Sequence, residues 1–225
     1  MNAVEVVVGW RPQTFGARRA RDVRDPIVEP LWSGLRFLGA VSGAQAFLQD
    51  VEGGRLDGFP LLAQALGAAV SSTDVIVDGY VTAELSHDET GTFTGDDPLD
   101  SKTRVMTQAI LGSRPDNDDK RLDKGRAARM PKGDDPLALV LVDLLWLDGA
   151  PLLAIPLLER RRQLDSVLAE SNLVRHGTYV RPPFGTWVGS WRSMGFPGLS
   201  LKSANSRYAP GSRAPDWASM AMPRR

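Results

Sequence analysis

The residue types that most often carry enzyme chemistry are scarce in this chain. It has no cysteine, which excludes disulfides, thiolate metal sites and cysteine nucleophiles. Its two histidines, His87 and His176, lie far apart in the sequence, an arrangement that disfavours a histidine-based zinc site or a Ser-His-Asp triad. Each histidine is therefore interpreted as a polar surface residue.

Two aspartates occur inside apolar segments, where a carboxylate needs partners. Asp143 interrupts the run LALVLVDLLWL. Because an unpaired buried carboxylate is costly, we expect it to accept backbone N–H bonds or to pair with an arginine, which would be a structural role. Asp78 and Gly79 lie between β-branched residues, and this dipeptide is either a turn or part of a site.

Composition and charge narrow the class of protein. The chain has 225 residues, with 27 basic and 27 acidic side chains, so its formal net charge is zero. A neutral total gives no support for strong nonspecific DNA binding, although a local basic patch remains open. The N-terminus does not resemble a signal peptide, and no apolar stretch reaches the roughly 20 residues that span a bilayer. These features predict a cytoplasmic protein without a membrane partner.

The secondary-structure elements that must position the candidate functional residues are short, and they include both helices and strands. Residues 1–26 are predicted to be an irregular, solvated lead-in, followed by short strands and turns. A helix is predicted to begin at Pro60 in PLLAQALGAAV, because proline fits the first helical turn. The segment DVIVDGYVTAEL is either a hairpin or one strand bent at its glycine. Residues 86–136 are rich in Asp, Lys, Gly and Pro and predict a mobile polar stretch that contains one short helix.

Apolar patterning resumes after this stretch. The run LALVLVDLLWL predicts a buried strand that ends at Asp148-Gly149. An amphipathic helix with Pro156 in its first turn is predicted next, with Glu159 to Arg162 on its solvated side. Trp187 and Trp191 lie four residues apart, which makes an interaction surface there an open alternative. Strands outnumber helices without regular alternation, so the pattern predicts an α+β domain.

Five segments occur in an order and spacing that resemble one known family. They are EPLWSGLR, GFPLLAQAL, DVIVDGY, VDLLWLDGAPLLAIPLLERR and GFPGLSLKSANSRYAPGSRAPDW. Together they resemble the adenylation domain of ATP-dependent DNA ligases, especially bacterial ligases linked to end joining and repair. The resemblance implies an ATP-grasp-related nucleotidyltransferase fold over residues 27–222, with antiparallel sheets flanked by helices. Only about eight residues follow Trp217, so we expect no OB-fold domain.

The resemblance also assigns the position of the family's nucleophile. In the family, the lysine of a K-x-D-G-x-R motif attacks the α-phosphate of ATP and forms a lysyl-AMP. The matching segment has Leu31 in place of the lysine and Ser33 in place of the aspartate, whereas Gly34 and Arg36 remain. Glu29 also remains, and its family counterpart lies beside the adenine.

Other family positions are changed as well. Tyr80 and Pro197 stand where the family has motif carboxylates, and Val142 stands where an aromatic residue packs on the base. The family's two phosphate-binding lysines are replaced by Ser219 and Ala221. Lys202 remains in its motif. We therefore predict a nucleotide-binding set of Glu29, Arg36 and Lys202, for ATP or AMP with Mg²⁺, and predict no catalytic residue and no metal ligand.

Three functions follow from these observations. The leading hypothesis is a catalytically inactive DNA ligase-like module in DNA repair, recombination or replication, whose partner is a nucleotide, DNA or a protein of a repair complex. The alternative is a residual nucleotidyltransferase with a displaced nucleophile such as Lys202; the other lysines, at positions 102, 120, 124 and 132, lie in the polar stretch. The third is a structural role, with the cleft closed by Leu31, Tyr80 and Pro197.

Overall fold

A computed structural model describes residues 1–32, 34–82 and 137–222. The predicted mobile stretch at 86–136, its short helix and Ser33 lie outside these residues. The strands are β1 (Thr14–Phe15), β2 (Pro26–Pro30), β3 (Leu35–Ser42), β4 (Gln45–Gln49), β5 (Asp74–Thr82), β6 (Ala138–Leu147), β7 (Ala150–Pro151), β8 (Val174–His176), β9 (Gly198–Ser203), β10 (Arg213–Ala214) and β11 (Trp217–Ala221). The helices are α1 (Ala3–Val7), α2 (Pro60–Ala69), α3 (Leu157–Val167) and α4 (Gly185–Ser193), with a 3₁₀ turn at Ala20–Asp22.

The large sheet has the strand order β4-β3-β5-β6-β7, and β8 pairs in parallel with β6. Its other pairings are antiparallel. The segment DVIVDGYVT forms one strand, β5, whose register against β6 shifts between Asp78 and Gly79. Asp148 and Gly149 both have positive φ and close a tight hairpin between β6 and β7, as an Asp-Gly pair favours.

Helices α2 and α3 cover one face of the large sheet. Pro60 opens α2, as predicted, and Leu62 and Leu66 are buried against Phe37, Val77 and other apolar side chains of the strands. The two helices meet where Val70 and Leu168 form an isolated bridge. Continuous apolar burial explains why β6 has almost no polar residue along its length.

The small sheet has the order β11-β9-β2, and both of its pairings are antiparallel. Side chains alternate between its faces. One face presents Val28, Leu199, Leu201 and Ala218, which pack in one apolar cluster with α4. The other face presents Glu29, Ser200, Lys202 and Trp217, whose contacts include residues of the large sheet and α3. These antiparallel sheets with flanking helices confirm the α+β prediction.

The N-terminal segment differs from its prediction as a solvated lead-in. Ala3 and Val7 of α1 have no exposed surface and pack on the large sheet face opposite α2. Phe15 is 7% exposed, and β1 pairs in parallel with β10. The prediction of an irregular, solvated segment is wrong because a few apolar residues among many arginines suffice to anchor it. The domain boundary at residue 27 remains a prediction.

Among the described residues, no helix combines the length and apolar character that crossing a membrane requires.

Replacement of Phe15 by alanine tests whether the N-terminal segment belongs to the core. We expect Phe15→Ala to lower the free energy of unfolding by about 3–5 kcal/mol, because a buried aromatic ring leaves a cavity. The matched control is Val8→Ala: Val8 is 61% exposed, so the change should stay within about 0.5 kcal/mol. Urea unfolding measures both. Equal, small effects would mean that the segment is not packed as described.

Candidate functional site

The site lies where the polar face of the small sheet meets the large sheet and α3. Lys202 on β9 extends its ammonium nitrogen to 2.7 Å from Glu29 Oε2 on the adjacent strand β2. The Ser200 hydroxyl donates to the same carboxylate oxygen at 3.1 Å. The Lys202 nitrogen also lies 4.8 Å from the centre of the Trp217 ring, a favourable cation–π distance. Both charged side chains are almost completely buried, so each is the other's principal counter-charge.

Arg161 approaches the same carboxylate from α3. Its Nη1 lies 3.8 Å from Glu29 Oε1, and its guanidinium donates to the carbonyls of Leu141 and Gly177. The guanidinium stacks over the Tyr179 ring at 4.7 Å. Glu29 Oε1 and Arg161 Nε are buried without a hydrogen-bond partner among the described residues. Arg161 therefore contributes positive charge beside Glu29 without a direct hydrogen bond to it.

Arg36 belongs to a separate ion pair on the large sheet. It donates from Nε and Nη2 to the two carboxylate oxygens of Asp78 at 3.1 and 2.8 Å. The Tyr208 hydroxyl donates to Asp78 Oδ2 at 2.6 Å and accepts from the Gln13 backbone N–H at 2.9 Å. Burial lowers the pKa of Arg36, but the Asp78 carboxylate together with Tyr80 and Tyr208 raises it, so the pKa lies above its usual value. Burial raises the pKa of Tyr208 well above its usual value, and the adjacent Asp78 charge adds to this rise.

Asp143 stands directly opposite Asp78 on the neighbouring strand. Arg160 donates to both of its carboxylate oxygens, at 2.8 and 2.7 Å, and the Leu144 backbone N–H donates at 2.9 Å. Burial lowers the pKa of Arg160, but the Asp143 carboxylate, with Tyr208 and Asp78, raises it, so the pKa lies above its usual value. The predicted structural role for Asp143, with an arginine as partner, is confirmed.

The prediction that residues 159–162 form a solvated helix face is wrong for two of them. Arg160 and Arg161 are 0% and 1% exposed, whereas Glu159 and Arg162 pair with each other at the surface. Positions 157, 160, 161 and 164 share one face of a helix, and Leu157 and Leu164 are buried. That spacing was the signal that the two arginines point inward toward Glu29 and Asp143.

Leu31 lies in the core. Its side chain is 4% exposed, and its backbone N–H donates to the Gly198 carbonyl at 2.9 Å. A Cβ at Gly198 would lie 3.3 Å from Leu31 Cδ2, so the leucine fills the space beside β9. The apolar cluster around it includes Phe15, Leu38, Ile76, Tyr208 and Trp217.

The remaining positions singled out in the sequence are spread around this cluster. Val142 is buried in β6, and the half-buried Tyr80 lies on β5, where its ring centre is 5.9 Å from Arg36 Cζ. Pro197 precedes β9, and its carbonyl accepts from the Met222 backbone N–H. Ser219 and Ala221 lie on β11. Ser33 lies outside the described residues.

The donors present do not fit a magnesium-bound nucleotide in this conformation. Glu29 and Lys202 are brought together, but they bind each other, and Arg36 binds Asp78 in a different group. Within residues 1–32, 34–82 and 137–222, no three acidic or histidine side chains are grouped so as to hold a metal ion. A phosphate or base that used these three residues would first have to replace their protein partners.

A double-mutant cycle measures how far the buried Asp143–Arg160 pair stabilises the fold. We expect Asp143→Leu alone to cost about 3–5 kcal/mol, because it leaves a buried guanidinium unpaired. Addition of Arg160→Met should recover a substantial part of that loss. Arg162→Ala in the same helix is the matched control and should change stability by less than about 0.5 kcal/mol. Strictly additive effects in urea unfolding would contradict the pairing.

The raised pKa of Tyr208 gives the protein a pH dependence with a definite sign. The unfolded phenol loses its proton near pH 10, whereas the folded one retains it to higher pH. The stability that this group contributes is therefore fully present below pH 10 and is lost as pH rises toward the folded pKa. We expect the stability difference between the wild type and Tyr208→Phe, measured by urea unfolding, to shrink above pH 10. A difference that stays constant across that range would refute this expectation.

Comparison with known protein families agrees with the residue pattern. The family model described as "ATP dependent DNA ligase domain" matches residues 62–220. A DNA ligase of Methanothrix thermoacetophila is 37% identical over 87 residues, which are 36% of this chain and 15% of that protein. A DNA ligase of Thermococcus fumicolans is 31% identical over 86 residues, with the same two shares. The chain thus matches about 15% of the length of these relatives.

Solved structures of ligases share the fold. A mycobacterial DNA ligase D complexed with ATP and MES superposes with a TM-score of 0.61 at 19% identity, over 94% of this chain and 60% of that one. The ligase domain from M. tuberculosis LigD gives a TM-score of 0.60 at 21% identity, over 95% and 60%. The predicted nucleotidyltransferase fold is confirmed. With more than half of its length matched by the family model, the chain belongs to the ATP-dependent DNA ligase domain family.

Proposed function

We propose that this chain is a non-catalytic module of the DNA ligase family, which acts by binding a partner in DNA repair, recombination or replication. The observation that carries the proposal is Leu31. It occupies the place of the family's nucleophilic lysine by sequence resemblance, and its side chain is packed in an apolar cluster at 4% exposure. A leucine has no lone pair with which to attack a phosphate.

The other groups near this position support the same conclusion. Lys202 is the one lysine outside residues 83–136. Its ammonium is 2.7 Å from a carboxylate and packs on Trp217, and an ammonium held in this way has no lone pair available for attack. Ser219 and Ala221 supply no cation for the phosphates. Loss of one preorganised donor costs roughly 10²–10³ in rate, and loss of the nucleophile removes the covalent route altogether.

The binding role is supported by what the chain retains. The buried ion pairs and both sheets form a complete framework around the changed site, and the relatives and structural neighbours are named as DNA ligases. A protein that does not catalyse adenylation still needs this framework if another molecule binds to its surface. Nucleotide binding through Glu29, Arg36 and Lys202 stays a prediction, because each of these residues has a protein partner.

Labelling with ATP tests the loss of chemistry. The purified chain is incubated with ATP labelled at its α-phosphate and with Mg²⁺, and acid-labile label on the protein is measured. We expect no label above the level of a heat-denatured sample. An active ATP-dependent DNA ligase treated in parallel is the positive control.

Two lysine variants identify the alternative if label does appear. One is Lys202→Arg, and its matched control replaces the lysines at 102, 120, 124 and 132 by arginine and leaves Lys202 in place. Label that is lost only in Lys202→Arg would establish a displaced nucleophile and a residual nucleotidyltransferase. Label that is lost only in the other variant would place the nucleophile in the stretch at 83–136. Either result would refute the proposal of a non-catalytic module.

A further inference from the structure

The surface around α4 combines exposed apolar side chains with neighbouring arginines. We propose, on the basis of the binding role proposed above, that it docks an acidic segment of a partner protein that carries apolar anchor side chains. We call this surface the α4 face. Its apolar members are Phe184, Trp187, Met194, Met220 and Met222.

Trp187 is the most prominent side chain of the α4 face. Helix α4 buries Val188 and Trp191 against the small sheet, so its inward face is already occupied. Trp187 lies beside Trp191, with ring centres 6.1 Å apart, but 44% of it is exposed. A large aromatic ring that is half in contact with solvent is the residue type that most often anchors a protein interface.

The apolar surface continues onto the edge strand of the small sheet. Met220 on β11 is 38% exposed and pairs with Leu199, which is part of the α4 cluster. Phe184, Met194 and Met222 are half-buried and pack against the same cluster. Flexible methionines beside aromatic rings suit a surface that must adapt to a partner's side chains.

Arginines are frequent in the two chain segments that contribute to this apolar patch. The segment that leads into β2 contributes Ala20 and Val23 to the same cluster and exposes Arg18, Arg19, Arg21 and Arg24. Residues 179–198, which contain α4, have two arginines and no acidic residue. Asp22 and Asp25 are the acidic residues nearest to the patch in these two segments. These two segments thus hold six arginines and two aspartates, of which Arg21 pairs with Asp22 and Arg181 with Asp25.

This combination favours an acidic protein segment over other occupants. A second copy of the chain would bring one set of arginines against another, and like charges repel. Nucleic acid would also neutralise the arginines, and its bases would stack on an exposed tryptophan, but exposed methionines offer a base no stacking face. Oligothymidylate is therefore the competing occupant in the test below. A segment with acidic and apolar residues satisfies both parts of the surface, the anchors in the centre and the charges at the rim.

Fluorescence anisotropy with a synthetic peptide tests the proposal. The probe is a fluorescein-labelled peptide of glutamate and aspartate that carries one leucine and one phenylalanine a helical turn apart. Two further probes are the same peptide without the apolar residues and a labelled oligothymidylate. We expect the first probe to bind more tightly than the other two, with an affinity that decreases as salt is added.

Matched variants locate the binding surface. Trp187→Ala should weaken peptide binding by about tenfold or more, as is typical of an interface anchor, whereas Leu61→Ala, at a 71% exposed position on α2, should not. Arg19→Glu with Arg24→Glu should also weaken binding, and Arg55→Glu is the exposed control. Far-ultraviolet circular dichroism checks that each variant is folded.

Several outcomes would overturn the proposal. Among the probes, these are equal affinity of the two peptides or a higher affinity for oligothymidylate. Among the variants, they are equal losses of affinity in Trp187→Ala and Leu61→Ala. A concentration-dependent dimer in sedimentation velocity that Trp187→Ala abolishes would also overturn it. Adenylation of the chain would refute the non-catalytic role but would not change these binding measurements, so the two proposals fail separately.

Discussion

Two aspartates that face each other across β5 and β6 set the main constraint on this structure. Asp78 and Asp143 are paired in register and are each 1% exposed. Two adjacent negative charges in a dry interior are strongly unfavourable unless each has its own counter-charge. Arg36 supplies one from β3, and Arg160 supplies the other from α3. The position of α3 against the sheet is therefore fixed by charge as well as by apolar packing.

The same principle explains why Glu29, Arg36 and Lys202 are bound to protein partners in this structure. Glu29, Lys202 and Arg161 form a second buried group, with two positive charges and one negative charge. Most polar groups in these networks are paired with another protein atom, although Glu29 Oε1 and Arg161 Nε have no hydrogen-bond partner among the described residues. Leu31 beside them is packed among apolar side chains.

The features of the fold and the site that could be predicted from the sequence are those fixed by interactions between residues close together in the chain. Helix α2 and strand β6 followed from apolar patterns and one proline, and the need of Asp143 for an arginine followed from its apolar surroundings. The burial of Arg160 and Arg161 was not predicted, because charged residues are usually exposed and the partners that neutralise these two come from distant strands. The packing of α1 was missed because its few apolar residues precede an arginine-rich segment. The Glu29–Lys202 pair depends on the register of β2 with β9, which no local pattern specifies.

The pairing of β1 with β10 and of β2 with β9 bears on how the chain is made. Protein synthesis proceeds from the N-terminus, so the first strands leave the ribosome long before the strands that complete them. The small sheet can consequently form only after β9 and β11 have been synthesised, and contacts between such distant segments slow folding. Until then Ile27 and Val28 lack the strand with which they pair. The segment that joins the two ends of the fold is thus without its sheet partner for most of the synthesis of this chain.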